Sequence, residues 1–553
     1  MSGRITREMS PAEVLDNLRR VDGYLLCNNE RDVSQSDFKN RLMPMTTVRV
    51  APYRDAVGFF SVEVSGGASV HMDLLRKQVN PFERLRITRK AMPRTLLQTV
   101  CRGASLFGYR HYPENIIRLT VREFARYADV WRVYDFLNHV PNMVAVFEEV
   151  QRAKRLLMPS ICFSTGKEHT DSFYVGKVRE ILEATGPDVI ISIKNFAGLG
   201  TPKRIGQLVE AIREAFPEII LHYHGCNTDG NDIGRMSAAI LAGAKICDVA
   251  DHGYGSIYGQ APALTLIQNL KDYGKKAEGM NIQALLQSSD VLRRERKIYE
   301  PFESPFRGHD PTVAHYKLTG GAVGNAYEHA DKGGFLERMP EILQEMARVQ
   351  LELGNWWSVT PGSQIIWTTA VNNVLHGRYE KPSNDLKYLL LGRYGPLPFY
   401  EPEDWIYEKV LEYQRYDSKK WHKILYDEGG HVKPGDADLE QERSRLQAEL
   451  GRPVSDEDLV LYLQFPFDAM SFFKFEDRYG KTWLLPPEIW FRRGGFKDGE
   501  RITFADEYGV PHYIEVISTR REGNNVLATM LVDHSFQTLS VKIEEAEAPP
   551  TPA

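Results

Sequence analysis

Val189-Ile190-Ile191-Ser192-Ile193 runs into Lys194, and Ile219-Ile220-Leu221-His222 runs into Tyr223-His224-Gly225-Cys226. Each is a short apolar segment whose C-terminal end carries residues able to bind a cation or a substrate. The same form recurs at Gly23-Tyr24-Leu25-Leu26-Cys27, Val130-Trp131-Arg132-Val133-Tyr134 and Ile246-Cys247-Asp248-Val249, with amphipathic stretches of helical period between the runs. That alternation is the pattern of parallel strands joined by crossover helices. In a (β/α)8 barrel the active-site residues sit at the C-terminal strand ends, and a span of about 270 residues suits one barrel. The expected fold class is therefore α/β, with a TIM barrel over residues 21–298.

Working outward, residues 1–20 read as an N-terminal helical segment. Residues 299–480 are helical in period and rich in aromatics, with an acidic, polar interruption around Glu428 to Glu440, and are expected to form a mainly helical domain. Residues 481–545 hold strand-like alternations at Arg501-Ile502-Thr503-Phe504, His512-Tyr513-Ile514-Glu515-Val516, Asn525-Val526-Leu527-Ala528-Thr529-Met530 and Gln537-Thr538-Leu539-Ser540-Val541, separated by Gly, Asp and Asn turns. A small β-unit is expected there. The tail, residues 546–553, is expected to be disordered. At 553 residues the chain exceeds the roughly 250 to 300 residues of a single hydrophobic core, which agrees with more than one unit.

A net charge of −5, from 69 Lys+Arg against 74 Asp+Glu, gives no polyanion-binding signal, so nucleic acid is not an expected partner. Five scattered cysteines make no disulfide framework, and no apolar run reaches the roughly 18 residues of a membrane span. The first residues lack the apolar stretch of a secretory signal, and a cytoplasmic protein is expected.

The chemistry-bearing residues lie at the strand ends. Asp32 follows strand one in what reads as a loop, Asn28 to Asp37. Residues i and i+2 of a strand share a face, so His222, His224 and Cys226 point the same way. With Asp32 and Lys194 they make a candidate divalent-metal site: a carboxylate, imidazoles and a position left for substrate. An H-x-H pair by itself is equally compatible with histidines that only hydrogen-bond.

Several motifs, in order, resemble the carboxyltransferase domain shared by pyruvate carboxylase, the oxaloacetate decarboxylase α-subunit and the pyruvate-using subunit of transcarboxylase. Arg31-Asp32-Val33-Ser34-Gln35-Ser36 resembles R-D-A-H-Q-S. Arg102-Gly103-Ala104-Ser105 through Gly108-Tyr109 resembles R-G-A-N-x-x-G-Y. Arg132-Val133-Tyr134-Asp135-Phe136-Leu137-Asn138 resembles R-V-F-D-x-L-N, and Ile193-Lys194-Asn195-Phe196-Ala197-Gly198-Leu199 resembles I-K-D-M-A-G-L. The likeness covers nearly the whole chain. It implies a metal (zinc, manganese or cobalt) held by Asp32, by Lys194 as a carbamate, and by two side chains of an H-T-H-D-T-S-G motif. Aligned without gaps, those two are His224 and Cys226. Either Cys226 ligates as thiolate, which favours zinc, or His222 swings in and Cys226 is a bystander.

The likeness further implies that Arg102, Tyr109 and Gln35 position a 2-oxo acid and its enolate, with Arg31 supporting from the same loop. Thr319-Gly320-Gly321-Ala322-Val323-Gly324-Asn325 resembles P-G-G-x-x-[T/S]-N, so Gly320, Gly321, Asn325 and Arg31 are expected at the biotin. Three positions depart. His71 stands for an aspartate, Cys226 for a histidine, and Gly324 for a proton-shuttling hydroxyl that Thr319 or Lys317 would have to replace. Trp356-Trp357, before Val359-Thr360-Pro361-Gly362-Ser363-Gln364, resembles the approach to V-T-P-S-S-K, with Gln364 for the lysine.

No A-M-K-M biotinylation sequence and no glycine-rich ATP-binding region occur in the chain, so a biotin carboxyl carrier protein and a biotin carboxylase are expected in trans, with a homodimer formed through the barrel. The leading expectation is a carboxyltransferase subunit acting on a 2-oxo acid other than plain pyruvate, in the carboxylating or decarboxylating direction. The competing expectations are a biotin-independent C–C lyase or synthase of the hydroxymethylglutaryl-CoA lyase type, and a catalytically degenerate scaffold subunit.

Overall fold

The computed structural model describes residues 5–254, 257–303, 308–317, 320–411, 435–492, 497–505, 510–523 and 525–542. Eight parallel strands close into a barrel in chain order: β1 Leu25–Asn28, β2 Ser61–Gly66, β3 Leu96–Cys101, β4 Val130–Val133, β5 Leu156–Cys162, β6 Ile190–Asn195, β7 Ile220–Gly225 and β8 Ile246–Val249, the last pairing with β1. The fold is an α/β barrel, as the alternation of runs implies. Every residue of these strands is buried, because helices cover the outer face while side chains fill the inner one. Strand β7 runs past His222 to Gly225, in register with β6 as Ser192↔His222 and Lys194↔His224. Polar side chains interrupt the apolar run in the sequence but do not end the ladder.

The N-terminal end of the barrel is closed by α1, Pro11–Arg20. Ser10 caps it: its hydroxyl accepts from the Glu13 amide, and the Glu13 carboxylate accepts from the Ser10 amide at 2.7 Å. This reciprocal pair satisfies backbone donors that a helix start leaves unpaired. Val14, Leu15 and Leu18 then bury against Leu25, Leu96, Val130, Leu156, Ile190, Ile220 and Ile246, from the beginnings of seven strands. Each such side chain contributes roughly 1.5–3 kcal/mol of burial.

At the opposite end, α2, Glu30–Phe38, starts directly after β1, where a loop was expected. Asn29 caps it, its side-chain oxygen accepting from the Asp32 amide at 3.3 Å. Arg31, Asp32 and Gln35 thus stand on one rigid helix. Helices between residues 313 and 490 lie against this end of the barrel, joined to it by Tyr134 Oη donating to the Thr360 carbonyl (3.1 Å) and Tyr394 Oη donating to that of Tyr109 (3.2 Å). Trp356 and Trp357 are fully buried in this seam. The first packs edge-on against Phe136, and the second donates from its indole to Tyr174 Oη at 3.3 Å.

Four antiparallel strands, β9 Arg501–Ala505, β10 Pro511–Glu522, β11 Asn525–Val532 and β12 Ser535–Lys542, form a separate sheet in the order β12-β11-β10-β9. The tail expected to be disordered, and most of the acidic interruption, lie outside the described residues. Among the described residues no helix is long and apolar enough to cross a membrane.

Candidate metal and substrate site

The inward side chains of the strands change character along the barrel axis. Ile190, Ser192 and Lys194 of β6 follow one another toward the C-terminal mouth, as do Ile220, His222 and His224 of β7, and Ile246 and Asp248 of β8. A two-residue period therefore lifts each strand from hydrocarbon to a polar middle and then to a possible ligand. At the mouth is a cleft whose lining includes Asp32, Arg102, Tyr134, Lys194, His224 and Cys226.

Asp32, His224 and Cys226 are buried, and one donor atom from each lies within 4.8 Å of the others. Lys194 Nζ stands 3.2 Å from His224 Nε2, and the Asp32 carboxylate is 3.8 Å from the same nitrogen. Gln260 Nε2 donates to Asp32 at 2.6 Å and Arg31 at 2.9 Å. A carboxylate, an imidazole and a thiol this close together fit one divalent cation with borderline ligand preference, ligated at roughly 2.0–2.3 Å. Gly225 between His224 and Cys226 leaves no room for a side chain, since a Cβ there would lie 2.0 Å from Asp232 Oδ1.

The electrostatics suit such an ion. Burial works against charge on Asp32, yet Arg31, His224, Lys194 and the Gln260 amide hold its carboxyl well below the usual range. Burial lowers Lys194 from the ordinary lysine value, with Arg132 and Arg31 adding to the shift, and brings His224 to about 4. Burial, then Asp32, pushes the Cys226 thiol up, so that a thiolate there needs a cation beside it.

Below the mouth lies a fully buried layer. Arg132 pairs with Asp248 (Nη1 to Oδ2, 2.7 Å) and with Glu63 (3.2 Å). Glu63 also accepts from Gln98 (2.8 Å) and from Arg31 (Nε to Oε1, 2.8 Å). Asp248 accepts from Asn29 Nδ2 at 2.9 Å and sits 2.5 Å from His224 Nδ1. Burial opposes its ionisation, but Arg132 and the two imidazoles hold its carboxyl far below the usual range.

Arg102 is 3% exposed and, among the described residues, pairs with no carboxylate. Its Nη1 donates to the carbonyls of Phe107 (3.0 Å) and Gly108 (2.7 Å), while Nε is buried without a partner. A guanidinium left positive in a cleft is a receptor for an anion. Tyr109 lies 5.1 Å from it, ring against cation, and Gln35 lines the same cleft, its Oε1 accepting from Arg31 at 3.1 Å.

Other expected residues lie elsewhere. His222 is one layer down, 2.9 Å from both Ser192 Oγ and Asp248 Oδ1, so both ring nitrogens are engaged and it does not join the cleft. The i, i+2 rule gave the shared face but not the depth. His71 ties the barrel to the helices through Asp468 (2.6 Å) and stacks on Phe465 at 4.6 Å. Lys317 donates to the Thr165 carbonyl (3.0 Å) and to Asn355 (3.3 Å). Thr319 lies outside the described residues; Gly320, Gly321, Gly324 and Asn325 fall in the first half of the helix Gly320–Lys332. Gln364 is exposed on the helix Gly362–His376.

Asp248, Glu63 and Gln260 were missed as contributors. The first two carried a signal, a charged residue inside an apolar strand run; Gln260, in a loop, carried none.

A closed barrel with metal-type donors and a buried guanidinium at one mouth has the make-up of an α/β-barrel enzyme. The chain matches the profile of the conserved carboxylase domain over residues 313–515 and the HMGL-like profile over residues 121–292. It is 32% identical over 457 residues to a pyruvate carboxylase subunit from Methanocaldococcus jannaschii, covering 81% of this chain and 76% of that one. It is 27% identical to the 2-oxoglutarate carboxylase large subunit of Hydrogenobacter thermophilus, covering 80% and 67%. The solved carboxyl transferase domain of Rhizobium etli pyruvate carboxylase with pyruvate and biocytin superposes with a TM-score of 0.88 at 25% identity, covering 97% of this chain and 91% of that one.

The chain belongs to the carboxyltransferase family of the biotin-dependent carboxylases. Membership implies biotin, a biotin-carrying partner and a divalent metal.

Proposed function

We propose that this chain is the carboxyltransferase subunit that moves CO₂ between carboxybiotin, presented by a biotin carboxyl carrier protein charged by a separate biotin carboxylase, and the enolate of a 2-oxo acid. The observation that carries the proposal is Arg102, a buried guanidinium with only neutral partners, lining the same cleft as Asp32, Lys194, His224 and Cys226. Its free edge grips the acceptor's carboxylate, and Gln35 hydrogen-bonds the keto oxygen. Asp32, His224, Cys226 and Lys194 as a carbamate would hold the ion; the thiolate favours zinc over manganese or magnesium. When bound, the ion supplies Lewis acidity toward the acceptor carbonyl.

Tyr134, Phe196, Val359 and Thr360 wall the cleft and keep water from the enolate. Arg31, held by Glu63, Asp32 and Gln35, fixes the helix that carries Asp32. Bound here, carboxybiotin would supply the CO₂ and a nitrogen able to take a proton from the acceptor's C3, the carbon beside the keto group, while Arg102 and Gln35 hold the acceptor for that transfer. Gly324 supplies no hydroxyl for that proton and Lys317 is tied elsewhere, which leaves Thr319 as the candidate. Gly320, Gly321 and Asn325 are assigned to the biotin on the motif alone. His71 is assigned a joining contact to the helices rather than a chemical role.

The substitutions at 71, 226 and 324 led to the expectation that pyruvate is not the acceptor. The relatives do not support that exclusion, since one is named for pyruvate and one for 2-oxoglutarate. The acceptor is therefore proposed at the level of a 2-oxo acid. The carboxylase-domain match, which adds residues 313–515 to the barrel, and the intact donor cluster speak against a biotin-free lyase and against a scaffold. Five buried, unpaired cysteines support a reducing, cytoplasmic setting, and the homodimer through the barrel rests on the resemblance alone.

The test is reconstitution with biotinylated carrier, carboxylase, ATP and bicarbonate, with pyruvate and 2-oxoglutarate offered separately. Carboxylation of one of them, abolished by omitting the carrier, is expected. Turnover without carrier, or none with either acid, would overturn the proposal.

A further inference from the structure

We propose that Asp248 is a positioning residue that fixes the tautomer of His224 and so aims its Nε2 lone pair at the ion. The inference rests on the metal reading of the site and concerns a residue that touches neither substrate nor cleft. Asp248 is fully buried on β8, the strand beside the one that carries His224. Its Oδ2 lies 2.5 Å from His224 Nδ1. An ionised carboxylate oxygen at that distance cannot face a ring lone pair, so Nδ1 carries the proton.

Two other donors face the same nitrogen, Arg132 Nη1 at 3.1 Å and Asn29 Nδ2 at 3.5 Å. Both stand farther from Nδ1 than the Asp248 oxygen does, and each lies closer to that oxygen than to the ring, at 2.7 Å and 2.9 Å from Oδ2. With Nδ1 protonated, Nε2 is the ring's only lone pair, and it faces Lys194 Nζ at 3.2 Å and the Asp32 carboxylate at 3.8 Å.

The carboxylate is itself held. Arg132 donates from Nη2 to Oδ1 at 2.8 Å and pairs by charge with Oδ2 at 2.7 Å, and Asn29 Nδ2, from the residue that caps α2, donates to Oδ2 at 2.9 Å. The helix bearing Asp32 and the strand bearing His224 are thus referenced to one carboxylate. A ligating histidine whose other nitrogen donates to a carboxylate is oriented and made more basic, and loss of such a partner costs about 10- to 100-fold in metal affinity.

Two measurements decide it. In the metal-free wild-type protein, long-range ¹H–¹⁵N NMR, with His224 assigned by difference against His224→Gln, is expected to show the proton on Nδ1; a proton on Nε2 overturns the inference. Calorimetric titration of Asp248→Asn with Zn²⁺ alone is expected to give affinity about 10- to 100-fold weaker than wild type. Affinity within twofold of wild type, with a native circular-dichroism spectrum, overturns it. If the variant does not fold, the wild-type tautomer decides. A wild-type protein that takes up no Zn²⁺ or Mn²⁺ overturns the metal reading instead, and the NMR result still judges Asp248.

Discussion

The two ends of the barrel are built from the same strands and follow opposite rules. At the N-terminal end, Leu25, Leu96, Val130, Leu156, Ile190, Ile220 and Ile246 meet the apolar face of α1, and packing alone fixes the geometry. Four residues further along two of these strands stand Lys194 and His224, and two further along two others stand Arg132 and Asp248, held by charge and hydrogen bonds in a dry interior. The hydrocarbon end can lose stability without losing chemistry. The polar end bears the chemistry, and each buried charge there persists only because its partner is present. A rigid, simply packed base is what lets the other end keep a thiol, a lysine and a carboxylate within one ion's reach.

That contrast can be broken most forcefully at the mouth. His224→Ala is expected to lower carboxyl transfer about 10²- to 10³-fold, the scale of removing one electrostatic stabiliser of the transition state, and to lower the thermal midpoint as well, since it strips the buried Asp248 carboxylate of a partner. Steady-state rates and melting curves on the same preparation check both halves. At the base the order inverts: Leu18→Ala is expected to cost about 2–5 kcal/mol in urea unfolding through the cavity it leaves, with KM for the acceptor unchanged. The smallest effect sharpens the same point, since Ser10→Ala removes one half of the α1 cap and is expected to cost about 1 kcal/mol with full activity retained.

Much of the barrel was legible because the strand runs are apolar and end in polar residues, and the small sheet because its alternation is regular. The motif end was legible too: Asp32, Lys194, His224 and Cys226 are brought together where the resemblance placed them. What escaped was depth. His222 and His224 look equivalent in sequence, and only the closed barrel puts one beneath the other. The buried roles of Arg132, Glu63 and Asp248 depend on partners on other strands and on α2, which no local pattern encodes. The start of α2 was misjudged although Asn29, a good capping residue, precedes it.

The central claim is that one divalent ion sits at this mouth with a sulfur among its ligands. X-ray absorption at the zinc edge of the purified, zinc-loaded protein tests it directly, with Cys226→Ser as reference. The account predicts one sulfur at about 2.3 Å among nitrogen and oxygen ligands, lost in the variant. A stoichiometric ion with no sulfur in its shell, or no bound ion at all, would contradict it.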